Sequence, residues 1–435
     1  MPRLIKVSLY MRSLLCITAT LLILSSCKST KEFTGFSYDP PDVTNTTDKE
    51  ITPQPRRTIG VGSPKVWVSN EFDGARLNDF YALNDSTFEI LIAPENAPIN
   101  NSPWYGFKIW SDSVRMAKIQ LNYEDATHRY VPKLQSWVWP DSAWQEQFEL
   151  PVEYDTANGT ATFDILLAED PVIISAQPLN TSSLVKKELS ERGIIDKKFT
   201  ALRKAGLSKK GRPIWELEIT EVKKEEKAPV LAIISRQHPP EVTGYLASLI
   251  FLEELTSDTE IAREFRETFV VKAFPMLNPD GVDLGHWRHN AGGIDLNRDW
   301  KNFNQPETGI VRDAFIWIKN HELRRMFYAI DFHSTNENIF YPINEEIQTS
   351  PDNITQEWIK EIMEDNPDVK FTVEEFDTSS PIAKNWFYHT FGIDALTYEV
   401  DDRIGEQQLS SVSRSAARSL MRLLLDEWDK IALKK

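Results

Sequence analysis

Val230-Leu-Ala-Ile-Ile-Ser235, His238-Pro-Pro-Glu241 and the amphipathic segment Val242–Leu255 follow one another along the chain. An apolar run of strand length, a tight turn and helical spacing predict a strand that leads through a turn into a helix. A His and a Glu three residues apart can reach one metal ion from a single turn of chain. A His-x-x-Glu motif alone is weak evidence, so the rest of the chain must supply the other parts of a metal site.

Around this stretch, apolar runs alternate with segments of helical spacing throughout residues 181–435. The apolar runs are Val230–Ser235, Thr268–Phe274, Met326–Phe332 and Asp394–Val400; the helical segments are Ser182–Arg192, Val242–Leu255, Gln305–His321, Ile354–Met363, Ile382–Phe391 and Leu409–Trp428; Gly206–Thr220 reads as a hairpin. This alternation predicts an α/β fold, a mainly parallel mixed sheet covered by helices on both faces. Ligand sites in such sheets lie at the carboxyl ends of the strands.

Residues 59–180 have a different texture, with short runs in which apolar and polar residues alternate. Turn residues such as Pro94-Glu-Asn-Ala-Pro98 and Asn158-Gly159 separate these runs. Period-two alternation at this spacing predicts an all-β sandwich domain ahead of the α/β domain. Its aromatic residues are read either as core and inter-domain packing or as a ligand-binding face: Trp104, Tyr105, Trp137, Trp139 and Trp144.

Residues 1–26 read as a signal peptide rather than as part of the fold. Arg12 precedes the short apolar stretch Leu14–Leu24, and Leu24-Ser-Ser-Cys27 resembles the lipobox of bacterial lipoproteins. That resemblance implies cleavage before Cys27, lipidation of its thiol, and an exported protein anchored to a membrane on its periplasmic or cell-surface face. Residues 27–58 are polar and are predicted to be a flexible tether. An ordinary signal peptide with an incidental Cys is the alternative.

The mature chain has little to attract nucleic acid and no disulfide to hold it together. The formal net charge is -16, and removing the three basic residues of the signal, Arg3, Lys6 and Arg12, changes it to about -19. An acidic surface repels nucleic acid. The chain has two Cys, and only Cys27 remains after cleavage, so a hydrophobic core must stabilise the fold.

Polar groups that could carry chemistry follow nearly every predicted strand of the α/β domain. They are His238 and Glu241, Asn278-Pro-Asp-Gly281, Trp287-Arg288, Asn297-Arg298, His333 and Glu399. His238, Glu241 and His333 would be the three protein ligands of one zinc ion and would leave a coordination position open for water.

The remaining residues of this set suit the hydrolysis of a peptide bond. Glu399 is the candidate to take a proton from water and pass it to the leaving amine. Arg288 would stabilise charge on the carbonyl oxygen. Asn297 and Arg298 would bind a free carboxylate of the substrate, because guanidinium and carboxylate groups pair in a planar, bidentate manner.

This set of motifs resembles the metallocarboxypeptidase family of the carboxypeptidase A type. His-x-x-Glu, Asn-Pro-Asp-Gly, Trp-Arg, Asn-Arg-x-Trp, a strand-end His and a Glu on the last strand occur in the family's order between Leu184 and Leu433. The resemblance implies the zinc ligands, general base, oxyanion donor and carboxylate clamp named above. It also implies one zinc ion and a peptide substrate with a free C-terminal carboxylate.

Within the family, the chain looks most similar to the cytosolic carboxypeptidases. Asn70-Glu-Phe-Asp-Gly-Ala-Arg-Leu77 and Tyr105-Gly-Phe107 resemble the β-domain that precedes their catalytic domain, and Asp295-Leu-Asn-Arg298 is also similar to that branch. The resemblance implies an exported, lipid-anchored bacterial relative. The compartment differs, so the tubulin-tail substrates of the eukaryotic branch are not assumed for this chain.

Two positions bear on the substrate. Lys384 lies fifteen residues before Glu399, where the family resemblance implies the base of the specificity pocket. A cation there would favour release of Glu or Asp; a solvent-facing Lys on a helix is the alternative. The ungapped position of the family's mobile Tyr is Asp377, so either another Tyr moves into the site or the site closes differently.

Three functions remain open from the sequence. The first is an exopeptidase that removes a C-terminal residue from extracytoplasmic peptides, with acidic residues as the candidate preference. The second is a carboxypeptidase or endopeptidase that acts on the stem peptides of peptidoglycan. The third is a binding protein that keeps the fold without turnover, which the complete set of ligands, clamp and base argues against.

Asp331, two residues before His333, either orients that imidazole or ends a strand.

Overall fold

The computed structural model of the chain describes residues 43–123, 126–136, 145–352, 354–375 and 378–433. Cys27, the whole predicted signal peptide and Asp377 lie outside these residues, as do Trp137, Trp139 and Trp144. In the described part of the chain, no helix combines the length and the apolar character that a membrane span requires.

Two β-sheets form the first half of the fold. One has the strand order β1 (Thr58–Val61), β2 (Val66–Ser69), β5 (Gly106–Ser111), β11 (Val172–Ser175), β7 (Lys133–Ser136) and β8 (Gln145–Glu149); the other has the order β3 (Asp79–Ala82), β4 (Thr87–Leu91), β6 (Arg115–Asn122), β10 (Thr160–Leu167) and β9 (Glu153–Asp155). Pairing is antiparallel except between β4 and β6. Side chains from both sheets form one buried cluster, which includes Phe88, Phe107, Ile119 and Phe163. The predicted β-sandwich is confirmed.

The aromatic residues of the sandwich that the structure describes are core residues. Trp104 and Tyr105 are both buried and belong to the apolar cluster between the two sheets. The indole N–H of Trp104 donates to the carbonyl of Gly74, and the Tyr105 hydroxyl donates to the carbonyl of Tyr130. Of the two interpretations of these aromatics, core packing therefore holds for Trp104 and Tyr105.

An eight-stranded mixed sheet organises the second half of the fold. Its order is β12 (Thr200–Leu207), β13 (Pro213–Ile219), β15 (Val270–Phe274), β14 (Ala228–Ser235), β16 (Arg324–Thr335), β19 (Asp394–Asp401), β17 (Asn338–Pro342) and β18 (Phe371–Val373). The four pairs β15/β14, β14/β16, β16/β19 and β17/β18 are parallel and the other three are antiparallel. The prediction of a mainly parallel mixed sheet is confirmed.

Helices cover both faces of this sheet. They are α1 (Val185–Glu191), α2 (Val242–Leu255), α3 (Glu260–Thr268), α4 (Pro279–Leu284), α5 (Pro306–Ile316), α6 (Ile354–Asp365), α7 (Ala383–Phe391) and α8 (Glu406–Leu433). Along β14, Leu231 and Ile233 pack into the cluster that contains α2 and α8. Their neighbours Val230 and Ala232 pack into the cluster that contains α5 and α7. A strand buried on both faces is apolar at every position, which explains the unbroken apolar run in the sequence.

The predicted elements differ from the structure in several details. Helical spacing through His321 predicts one helix, but α5 ends at Ile316 and a short 3₁₀ turn follows at Trp317–Asn320. Strands β17 and β18 carry no sequence signal strong enough to be predicted. They are five and three residues long and lie at one edge of the sheet, where pairing with neighbours supplies most of the stabilisation.

The predicted flexible tether is wrong for residues 43–57. Thr46 is fully buried, and its hydroxyl donates to Asp299 Oδ1 over 2.5 Å. The N–H of Lys49 donates to the carbonyl of Gly292, and the amide of Gln54 donates to the carbonyls of Ala75 and Leu284. We call residues 43–57 the strap. The composition of the strap shows that it is polar but not that its polar groups have fixed hydrogen-bond partners. The sequence therefore could not distinguish the strap from a flexible linker.

Candidate active site

The three predicted metal ligands converge at the carboxyl ends of two neighbouring strands. His238 lies in the loop after β14, Glu241 precedes the first residue of α2, and His333 lies near the end of β16. His238 Nδ1 is 2.7 Å from Glu241 Oε1, and His333 Nδ1 is 2.8 Å from Glu241 Oε2. The two Nδ1 atoms are 3.2 Å apart. All three side chains are buried, and they form a group whose atoms can hold one metal ion.

The other nitrogen of each imidazole is held by a carboxylate. His238 Nε2 is 2.8 Å from Asp295 Oδ1, and His333 Nε2 is 2.8 Å from Asp331 Oδ2. A carboxylate accepts a hydrogen bond, so when each Nε2 donates to its aspartate, each Nδ1 is left with a lone pair for a metal ion.

In that tautomer the two Nδ1 atoms and the Glu241 carboxylate are three acceptors, and a cation among them would offset their mutual repulsion. Two imidazole nitrogens and a carboxylate are the donor set that suits zinc, so these residues fit the metal. Of the two interpretations of Asp331, the structure therefore favours the one in which it orients the His333 ring.

Glu399 lies beside this cluster with one oxygen unpartnered. Strand β19 pairs with β16 so that Glu399 is opposite His333. Its Oε2 is buried and accepts no hydrogen bond within the described part of the chain. Burial raises the pKa of Glu399 to about 7, against the opposing charge of the nearby His333. A carboxyl group with a pKa near neutrality can both take up and release a proton under physiological conditions.

The predicted arginines lie in the loop between α4 and α5. Arg288 Nε donates to Asp295 Oδ2 over 2.7 Å, so Asp295 contacts a histidine with one oxygen and an arginine with the other. Asn297 Oδ1 accepts from the N–H of Ala383, and Arg298 Nη1 donates to the carbonyl of Asn297. The loop therefore presents two guanidinium groups and a fixed amide to the metal cluster.

The three predicted metal ligands, Glu399, Arg288, Asn297 and Arg298 line one cleft of about 350 Å³. One wall belongs to the β-sandwich and consists of Asn100, Asn101, Ser102 and Arg129. The Arg129 guanidinium is fixed by Asp402 of the α/β domain, at 2.8 Å from Nε, and by Ser102, at 2.9 Å from Nη1. Both halves of the fold therefore shape the cleft.

Lys384 is buried, so the interpretation as a solvent-facing helix residue is wrong. Its side chain is 1% exposed, and Nζ donates to the carbonyl of Pro342 over 2.8 Å. Lys384 lies two residues after Ile382, and its hydrogen-bond acceptor, Pro342, is next to Tyr341 in the chain. The side chains of Ile382 and Tyr341 both line the cleft. The ammonium group is therefore beside the cleft but is not part of its lining.

Sequence reasoning missed the roles of Asp295 and of the sandwich residues. The sequence could have indicated a role for Asp295, because Asp295 lies two residues before Asn297 in the same loop. Asn100, Ser102 and Arg129 had none, since their proximity to the cleft results from the packing of two domains.

The α/β fold places the buried His-Glu-His cluster, the Glu399 carboxylate and two arginines in one cleft, and these are the kinds of groups that a metal-dependent hydrolase uses. Residues 195–409 match the family described as zinc carboxypeptidase, so this part of the chain resembles a zinc carboxypeptidase domain. The resemblance noted from the motifs is confirmed.

Two kinds of relatives share this domain. Cytosolic carboxypeptidase 2 of Danio rerio is 35% identical over 162 residues, which are 34% of this chain and 22% of that protein. Cytosolic carboxypeptidase 3 of Mus musculus is 23% identical over 303 residues, 62% of this chain and 29% of that protein. The chain therefore spans less than a third of the length of these relatives.

Among solved structures, the metallo-carboxypeptidase from Burkholderia cenocepacia matches with a TM-score of 0.66 and 19% identity, over 84% of this chain and 99% of that one. Since residues 181–435 make up less than three fifths of the chain, this match extends into the β-sandwich. The two-domain fold is therefore shared with a solved protein.

Proposed function

We propose that this chain is a zinc-dependent carboxypeptidase that hydrolyses the last peptide bond of its substrates. The observation that carries the proposal is the convergence of His238, Glu241 and His333 beside the unpartnered oxygen of Glu399. A bound zinc ion would polarise the scissile carbonyl and acidify a water molecule. The zinc carboxypeptidase domain at residues 195–409 supports the same reaction.

Residues of the chain itself perform the proton transfer, the charge stabilisation and the substrate binding. Glu399 accepts a proton from water at its free Oε2 and later donates it to the leaving amine. Arg288, held by Asp295, stabilises the negative charge that develops on the carbonyl oxygen. Arg298 and Asn297 bind the C-terminal carboxylate, which limits cleavage to the last residue.

The test is digestion of a peptide library followed by mass spectrometry, with and without a zinc chelator. We expect loss of single C-terminal residues that stops on chelation and returns with zinc.

Replacing Glu399→Gln is expected to lower kcat by about 10²- to 10⁴-fold, because it removes a general acid–base, while zinc content is unchanged. A Glu399→Gln variant as fast as the wild type would contradict the mechanism. Purified peptidoglycan, digested in parallel, distinguishes a stem-peptide substrate from a general one.

We further propose a preference for acidic C-terminal residues. The buried Lys384 ammonium lies next to two cleft residues, Tyr341 and Ile382, and an acidic side chain that enters there would pair with it. Lys384→Glu is expected to reverse the ratio of kcat/KM for Glu-terminated over Lys-terminated peptides. Lys360→Glu, on the surface of α6 in an exposed pair with Glu364, is the control. An unchanged ratio in the Lys384 variant would exclude the preference.

An exported, lipid-anchored location is also proposed. It is supported by the short apolar stretch Leu14–Leu24 and by Leu24-Ser-Ser-Cys27, which resembles a lipobox. Metabolic labelling with a radioactive fatty acid is expected to label the wild-type protein and not the Cys27→Ser variant. Equal labelling of both, or of neither, would reject lipidation at this residue.

A further inference from the structure

We propose that Glu95 of the β-sandwich is a positioning residue for Arg288, which makes the sandwich part of the catalytic apparatus. The proposal rests on the carboxypeptidase activity proposed above. Glu95 lies in the loop between β4 and β5 and is fully buried. It is separated from Arg288 by more than 190 residues of sequence, and its carboxylate contacts the backbone of the loop that carries Arg288.

The contact consists of three consecutive backbone donors on one carboxylate. Glu95 Oε2 accepts from the N–H of Trp287 over 2.8 Å. Glu95 Oε1 accepts from the N–H of Arg288 over 3.1 Å and from the N–H of His289 over 2.7 Å. Three successive N–H groups that point at one anion require a particular backbone conformation, so the carboxylate fixes residues 287–289 as a unit.

The side chains on either side of Arg288 fasten the same loop to the sandwich. Trp287 is buried in the sandwich's apolar cluster, and its indole N–H donates to the carbonyl of Trp104 over 3.1 Å. His289 Nδ1 is 2.6 Å from Asn96 Oδ1, next to Glu95. Between them, the Arg288 side chain extends to Asp295 and the cleft. The guanidinium therefore takes its position from a backbone that the sandwich holds.

Charge favours this arrangement at neutral pH. Burial opposes ionisation of Glu95, but His286, His289, Arg76 and the N–H of Trp287 together lower its pKa to about 2. Burial also lowers the pKa of His286 and that of His289, the latter to about 4, so both imidazoles are neutral near pH 7. At that pH the anionic carboxylate is balanced by Arg76 and by the three backbone donors, which a neutral residue of the same size cannot bind equally well.

Glu95→Gln keeps the size of the side chain but removes its charge and replaces one acceptor with a donor. We expect kcat for a C-terminal residue to fall by about 10- to 100-fold, the effect of displacing a catalytic group by about 1 Å. Zinc content, measured by atomic emission, should equal that of the wild type, because Glu95 does not contact the three ligands. Asp164→Asn, a charge removal on the exposed face of β10 in the same sandwich, should leave kcat unchanged.

A double-mutant cycle separates positioning from general stabilisation. In an Arg288→Ala background, Glu95→Gln should lower kcat by less than about twofold, since the group that it positions is already absent. An equal loss in both backgrounds would mean that Glu95 acts on the whole fold and would overturn the proposal. If the Gln variant does not fold, Glu95→Asp serves in the same cycle, because a shorter carboxylate keeps the charge but cannot reach all three donors.

A crystal structure of the Glu95→Gln variant gives a readout that does not depend on turnover. The proposal expects the Arg288 guanidinium to be displaced from Asp295 while His238, Glu241 and His333 keep their positions. An unmoved Arg288 would refute it. If the wild-type chain releases no C-terminal residue, the proposed function fails and this structural test still decides the role of Glu95. If the wild type is active and Glu95→Gln is equally active, only the inference about Glu95 fails.

Discussion

Asp295 links two functions through its two carboxylate oxygens. Oδ1 holds Nε2 of the predicted ligand His238, and Oδ2 holds Nε of Arg288. Despite its burial, the pKa of Asp295 is well below its usual range because Arg288 and His238 stabilise the anion. Asp331 has a simpler role, since among the site residues it bonds His333 and the amide of Gln237. The two aspartates therefore make a matched pair for separating metal binding from turnover.

Replacing Asp331→Asn is expected to weaken zinc affinity by about 10- to 100-fold, the usual effect of losing a carboxylate behind a metal-binding histidine. Asp295→Asn should weaken zinc by a similar factor and should also lower kcat at saturating zinc, because Arg288 loses its partner. Competition with a chromophoric chelator measures the affinity, and peptide hydrolysis measures kcat. Equal kcat losses for the two variants at saturating zinc would contradict the double role of Asp295.

At the level of secondary structure, the site depends on how closely α2 approaches β16. The N–H of Gly244 donates to Ser334 Oγ over 2.7 Å, and a Cβ atom on Gly244 would lie 2.2 Å from the carbonyl oxygen of His333. The helix that follows Glu241 therefore packs directly on the backbone of the other histidine ligand. Glycine at this position permits the three ligands to come together from two elements.

Gly244→Ala is expected to destabilise the fold by about 1–3 kcal/mol, because the added methyl group must push apart a helix and a strand. The matched control is Gly309→Ala on α5, where a Cβ would contact nothing within 4 Å. That change should stabilise by about 0.5–1 kcal/mol, since alanine favours a helix over glycine. Urea unfolding monitored by circular dichroism measures both. Similar effects of the two substitutions would disprove the close-packing argument.

At the scale of the whole molecule, the β-sandwich and the α/β domain share side chains. Trp287 comes from the α/β part of the chain but is 1% exposed within the sandwich cluster. Arg129 of the sandwich pairs with Asp402, and Gln177 donates to the carbonyl of Asp402. Each domain therefore contributes side chains to the packing or the hydrogen bonds of the other.

Trp287→Ala is expected to lower the free energy of unfolding by about 3–5 kcal/mol, as for other large-to-small core substitutions. Trp317→Ala is the control, because Trp317 is 43% exposed on the 3₁₀ turn after α5. It should cost less than about 1 kcal/mol. Guanidinium denaturation measures both variants. A Trp287 variant no less stable than the Trp317 variant would mean that the two domains are held together by other contacts.

The sequence was most informative where the residues that predict a structural feature lie within one strand or the turn that follows it. The apolar run Val230–Ser235 predicts a strand buried on both faces, and His238 and Glu241 lie at its end because chain connectivity puts them there. His333 and Glu399 could be added because parallel strands bring their carboxyl ends to one edge. The sequence was least informative for short edge strands and for the strap, whose polar residues depend on partners far along the chain.

By itself, the sequence determined the two-domain fold class, the residue types of the metal cluster and the resemblance to zinc carboxypeptidases, because these depend on local periodicity and on motifs in fixed order. Only the tertiary structure decided that Asp295 serves both His238 and Arg288, that Lys384 is buried, and that Glu95 and Arg129 of the sandwich reach the catalytic side. The contacts of Glu95 and Arg129 join residues 193 and 273 positions apart and depend on how the two domains pack. Those of Asp295 with His238 and of Lys384 with Pro342 join residues 57 and 42 positions apart that meet only in the folded α/β domain. Neither residue of such a pair marks its partner in the sequence.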